Sequence, residues 1–183
     1  MNRDKLFPYV VPFGYIENVD RGPAGFIPSI GHEVYVMLVE DLNGICRNVQ
    51  LDELSEAGLD IAEAHQLALE NLQTLARSSA MHKGMHEVQG TGQRFIVWEG
   101  HWLAASCIRL PGIGEWAQKT LGVSEICASI PQRESLLFFP KADRKFRDHM
   151  RGVIRSTEEL ARKQVTFELF SLDDKLRPLV EPA

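Results

Sequence analysis

Three of the breaks between apolar runs in this 183-residue chain are only four residues long: DLNG (41–44), GTGQ (90–93) and PQRE (131–134). Connections that short constrain the fold strongly. Four residues turn a strand back beside itself, whereas a parallel neighbour needs a crossover of about a dozen residues or more. The flanking runs read as strands: EVYVMLVE and ICRNVQ, MHEVQ and RFIVWE, SEICASI and SLLFFP. WLAASCIRL reads as a further strand, and VTFELFSLDDKLRPLV as two strands around DDK. The expected fold is therefore α+β: a largely antiparallel mixed sheet built from hairpins, with about four helices packed against it.

The helices are legible from their ends as well as their periodicity. LDELSEAGL reads as a short helix closed by Gly58. Asp60 then has the chemistry of an N-cap, with Glu63 three residues on to complete a capping box. From Asp60 to Ser79, Ile61, Ala64, His65, Ala68, Leu72, Leu75 and Ala76 fall on one side at about 100° per residue. Leu67 and Leu69 widen that stripe, and Asn71 sits at its edge, where its amide must find partners if buried. PGIGEWAQKTLG holds a short helix between glycines. KADRKFRDHMRGVIRSTEELARKQ reads as the last helix, buried through Phe146, Met150, Val153, Ile154 and Leu160.

Residues 1–32 are rich in Pro and Gly and read as an irregular arm, with 33–183 as a single α+β domain. The arm's aromatics Phe7, Tyr9, Phe13, Tyr15 and Phe26 are expected on the main core or on a partner's surface. The net charge is −5, which argues against nucleic acid, because phosphate binding is driven by clustered Lys and Arg. The basic run from Lys141 to Arg155 is interleaved with Asp143 and Asp148 and reads as a solvated helix face. No apolar run approaches the ~20 residues a bilayer requires. The opening MNRDKLFPYVVPF is charged and interrupted by Pro8 and Pro12, unlike a secretory signal. Cys46, Cys107 and Cys127 are odd in number and widely spaced, which fits buried thiols in a reducing cytoplasm.

Four stretches carry a resemblance. LDELSEAGLDIAEAHQLALENL resembles an acidic loop followed by a helix ending in Ala-Leu-x-Asn-Leu, and HWLAASCIRL an Ala-Ser-x-x-Leu segment. ASIPQRESLLFFP resembles a Val-Pro-x-Arg-Asp-x-Leu hairpin, and FELFSLDDKLRPL a closing segment. Their order is similar to that of the YtpQ-like family of bacterial proteins, a domain of unknown function. Glu134 stands where that family's pattern has Asp. The resemblance implies a bacterial cytoplasmic protein with no established activity, and Asn71, Ser106, Arg133 and Glu134 are the polar residues that match its motifs.

The chemistry-bearing residues define several candidates. Cys107, six residues after His101, is a nucleophile only if a helix N-terminus or a cation lowers its pKa; its surroundings read as those of a buried apolar thiol. His82 and His86, four apart, would share a helix face and bind metal there. Gly84 between them argues against a helix, and His32 and His101 join them only if the fold gathers all four. GTG (90–92) and PGIG (111–114) lack a P-loop Lys or a full GxGxxG and read as turns. Ser106 lacks a GxSxG context. The set Asn71, Ser106, Arg133 and Glu134 reads either as structural or as a binding surface. In the binding reading Arg133, at a hairpin tip, offers its rigid fork of donors to an acidic group on a partner. The preferred expectation is a non-catalytic protein-binding or regulatory module, without cofactor, acting on a protein partner or as a homodimer. The alternative is a small hydrolase-type enzyme built on Cys107, His101 and Glu134.

Overall fold

The computed structural model describes residues 1–16, 27–30, 34–158 and 163–172. The fold is α+β, and its contacts divide the chain into two units, Met1–Ser78 and Ser79–Ala183. The division falls after the long helix, not after residue 32.

In the first unit, strand β1 (Leu6–Pro12) leads into a single helical turn, α1 (Phe13–Ile16). Strands β2 (Ile27–Ile30), β3 (Val34–Asp41) and β4 (Cys46–Asn48) follow, then helices α2 (Leu51–Glu56) and α3 (Ile61–Arg77). β3 is central. β1 runs antiparallel along its whole length from Leu6↔Glu40 to Pro12↔Val34, while β2 and β4 pair with its two ends. The expected irregular arm is thus, over Leu6–Pro12, an edge strand. An edge strand uses one side of its backbone for pairing, so prolines at alternate positions, here Pro8 and Pro12, are tolerated. Phe7 and Tyr9 are buried by this pairing, whereas Phe13 and Tyr15 are exposed; Phe26 lies outside the described residues.

The local signals of this unit are realised closely. Asn43 and Gly44 both adopt positive φ in the β3–β4 turn, and Leu42 and Ile45 exchange backbone hydrogen bonds across it. Gly58 closes α2 at φ +65°, with the Leu59 amide donating to the Leu54 carbonyl. Asp60 and Glu63 form the capping box of α3. Ala64, His65, Ala68, Leu72 and Ala76 are its buried residues, while Ile61 at its start is exposed. α3 packs along β1. Leu6, Leu38, Val49, Leu54, Ala64 and Ala68 form a core in which each large side chain contributes about 1.5–3 kcal/mol.

The second unit contains strands β5 (His82–Glu87) and β6 (Arg94–Glu99), a 3₁₀ turn (Ala105–Arg109) and helix α4 (Ile113–Leu121). Strands β7 (Ile126–Ser129) and β8 (Ser135–Pro140), helix α5 (Arg144–Glu158) and strand β9 (Leu169–Ser171) complete it. Its sheet has the order β5-β6-β8-β7-β9, antiparallel throughout. The α+β fold is thus built from hairpins as expected, with its strands in two antiparallel sheets. On one face Cys127, Leu137, Phe139 and Leu169 pack with Phe146, Met150 and Ile154 of α5. On the other, Trp98 and Phe138 meet Trp116 of α4 edge-on.

Three expectations are corrected here. WLAASCIRL is not a strand: its second half winds into the 3₁₀ turn, and Leu103, Ala104, Ala105, Ser106, Cys107 and Ile108 are buried. A short continuous apolar run has no period that separates a strand from a buried helical turn. Val153 is 40 % exposed rather than part of the buried side of α5. Cys46 is half-buried on β4, whereas Cys107 and Cys127 are fully buried; all three are thiols rather than halves of a disulfide. Leu160 and the second of the two strands expected around DDK lie outside the described residues.

Candidate functional site

The register of the second sheet places Glu99 opposite Ser135 and Val97 opposite Leu137. Side chains two apart on a strand leave the same face. Val97, Glu99, Ser135 and Leu137 therefore share one face at one end of the β6–β8 pair. α5 covers that face through Phe146, Met150 and Ile154, and beyond Ile154 a pocket of about 310 Å³ opens. Its aliphatic wall is Val97, Leu137, Val153 and Ile154. Its polar groups are Glu99, Gln132, Glu134 and Ser135.

The β7–β8 connection builds the polar side. The Val165 amide donates to the Pro131 carbonyl, and that of Arg133 to the Lys163 carbonyl; Gln132 and Gln164 form an isolated bridge. From the other direction the Ala105 amide donates to the Arg133 carbonyl. PQRE is thus a turn held on both sides. This revises the expected hairpin tip: Arg133 keeps only 24 % of its side chain exposed, and its Nε contacts Glu134 Oε1 at 3.2 Å. Lys163 Nζ lies 3.3 Å from the same oxygen. Partial burial pushes the Glu134 carboxyl up. The hydrogen bonds from Arg133 and Lys163 outweigh that and hold it below its ordinary range.

Ser135 and Ser129 lie on this same face of the sheet. Both are buried, and neither hydroxyl has a hydrogen-bond partner. A buried hydroxyl without a partner costs about 1–3 kcal/mol. Glu99 is exposed and makes no ion pair with the described residues.

The remaining sequence candidates are dispersed. Asn71 is in the first unit, where its Nδ2 donates to the carbonyls of Arg3 at 2.8 Å and Leu6 at 2.9 Å. It ties the start of β1 to α3. Ser106 is buried in the 3₁₀ turn. Cys107 approaches Met81 Sδ at 3.5 Å and the Leu103 carbonyl at 3.6 Å. Burial pushes its thiol up to about 12, with the Lys83 charge pulling weakly the other way. At neutral pH that sulfur is protonated and is not a nucleophile. His101 accepts from the Leu103 amide through Nδ1 and stacks on Trp102.

No family model matches the chain, and no curated protein or solved structure matches it.

His82 and His86 lie on strand β5 rather than on a helix, and both are exposed; His86 stacks on Phe95. His32 lies outside the described residues. Among the described residues no three His, Cys, Asp or Glu side chains converge as metal ligands, and no helix is long and apolar enough to cross a membrane. A second depression, of about 480 Å³, lies beside the β5–β6 turn. Its Asp143 is committed internally, accepting from Gln93 and from the Phe146 amide at the start of α5.

Sequence reasoning named Glu134 but missed Glu99, Ser135 and the role of Gln132. The alternation of RFIVWE and SLLFFP held the signal: Phe95, Val97 and Glu99 on one strand and Ser135, Leu137 and Phe139 on the other share a face. The polar end of an otherwise apolar stripe marks where helical cover stops.

Proposed function

We propose that this protein is a non-catalytic binding or regulatory module of the bacterial cytoplasm, acting through a protein partner. The resemblance of its motifs to the YtpQ-like family supports the setting. One observation carries the binding reading: the pocket at the end of β6 and β8 joins an aliphatic wall to a polar rim. That is the anatomy of an interaction site. The residues named for a hydrolase fit their task less well. A general acid or base works best with a pKa near neutrality, and Glu134 is shifted away from it, as is Cys107.

Native mass spectrometry on the full chain, purified gently from its own host, tests the reading. A co-purifying protein lost from a Glu99→Lys variant supports it. A metal or small molecule at stoichiometric mass, with no protein bound, overturns it in favour of an enzyme.

A further inference from the structure

Three features of the pocket in the second unit bear on what enters it. The wall formed by Val97, Leu137, Val153 and Ile154 is aliphatic, without an aromatic ring on which a planar ligand would stack. Its volume of about 310 Å³ lies at the small end of the range for ligand sites. Among the described residues its charged lining groups, Glu99 and Glu134, are both carboxylates.

The state of each polar group narrows the choice. Arg133 and Lys163 both contact Oε1 of Glu134 and compensate that carboxylate from outside the lining. Among the described residues no cation pairs with Glu99, a carboxylate at the mouth. Ser135 is 6 % exposed, lines the pocket, and its hydroxyl has no partner. Ionised carboxylates only accept hydrogen bonds, and a hydroxyl or a Gln amide can accept as well. An anion would meet Glu99 with no cation among the described lining residues, whereas a compact group with several donors meets an acceptor in more than one direction.

We propose that this pocket takes a lysine side chain from the partner polypeptide, its aliphatic stem on the Val97–Leu137 wall and its ammonium among Glu99, Glu134 and Ser135. An ammonium suits the site better than a guanidinium. It is a point charge with three donors that can reach the separate acceptors Glu99, Glu134 and Ser135, whereas a guanidinium fork would pair with one carboxylate and leave the other acceptors unused. The proposal deepens the binding reading above by naming the anchor the partner inserts.

The test is a titration of ¹⁵N-labelled full chain with Nα-acetyl-lysine N-methylamide, followed by amide shifts. Saturable shifts at Glu99, Gly100 and Ser135 are expected. The norleucine analogue, which lacks the ammonium, should bind at least ten-fold more weakly. Glu99→Gln, at an exposed position, and Ser135→Ala should each weaken the lysine probe at least three-fold. Equal binding of the norleucine probe, absence of shifts at the pocket, or indifference to Glu99→Gln overturns the proposal. Tighter binding of free cadaverine than of the blocked lysine overturns the polypeptide as the source. A co-purifying protein together with a silent lysine titration leaves the module reading standing and removes this anchor. Saturable lysine-probe shifts on a chain that carries a stoichiometric small molecule and no protein remove the module reading, and with it the partner polypeptide as the source of the ammonium.

Discussion

Glu99 of β6 lies directly across the ladder from Ser135 of β8, so an exposed carboxylate and a buried, unpartnered hydroxyl leave the same face of the sheet side by side. A strand pair that ends in this way is poorly explained by stability, because the hydroxyl gains nothing from its burial. Ser135→Ala is expected to leave stability within about 1 kcal/mol of wild type, or to raise it, since removing an unsatisfied group is neutral or favourable. Ser129→Ala, on the neighbouring strand, should behave alike. Urea unfolding monitored by tryptophan fluorescence measures both. A loss above about 2 kcal/mol would mean that these hydroxyls have partners in solution.

In the first unit Glu40 and Arg47 are cross-strand neighbours in the β3–β4 register and form an ion pair. The Asn2 amide donates to the other carboxylate oxygen of Glu40 at 2.6 Å. Burial pushes the Glu40 carboxyl up, but these hydrogen bonds prevail and hold it below its ordinary 4.5. A depressed folded-state pKa gives stability that is fully present above the unfolded value and is lost as pH falls through the folded one. Glu40→Gln should cost about 2 kcal/mol at pH 7. The gap to wild type should shrink below pH 4.5, which chemical denaturation across a pH series would follow. A gap independent of pH would show that packing, not charge, sets the cost.

Asn71 replaces water for two carbonyls at the start of the chain, those of Arg3 and Leu6. Asn71→Ala should destabilise by about 1–2 kcal/mol. Amide exchange should accelerate most in β1, at the end near Leu6. Unchanged β1 protection would mean that the ladder with β3 holds the strand without this anchor.

The thiols should separate by burial. With Cys107 pushed up to about 12 and Cys127 buried, the half-buried Cys46 is expected to react first with a chromogenic disulfide at pH 8. The other two should follow only in denaturant. Rapid native labelling of Cys107 would reopen it as a nucleophile.

Much of the fold was legible because its signals are local. The DLNG turn, the Gly58 stop and the Asp60–Glu63 capping box act over a few residues, and each is found where the sequence puts it. The same holds for α4 between Gly112 and Gly122, both at positive φ. WLAASCIRL failed for a physical reason: its apolar residues fit a strand or a buried helical turn equally well. Of the pocket, Glu134 was visible as an oddity in a turn. Glu99 and Ser135 were not, because nothing within either strand says which residue of the other it will face.

What the sequence determined by itself is therefore the order of hairpins and helices, their caps and turns, and the antiparallel α+β class that four-residue connections impose. Tertiary structure decided the rest. It recruited Leu6–Pro12 as an edge strand, divided the strands between two sheets, drew Arg133 into a paired and partly buried turn, and left one end of the β6–β8 face open beyond α5. The reason is range: turn chemistry and periodicity act between neighbours along the chain, whereas burial and strand partnership depend on residues brought together only when the whole chain has folded.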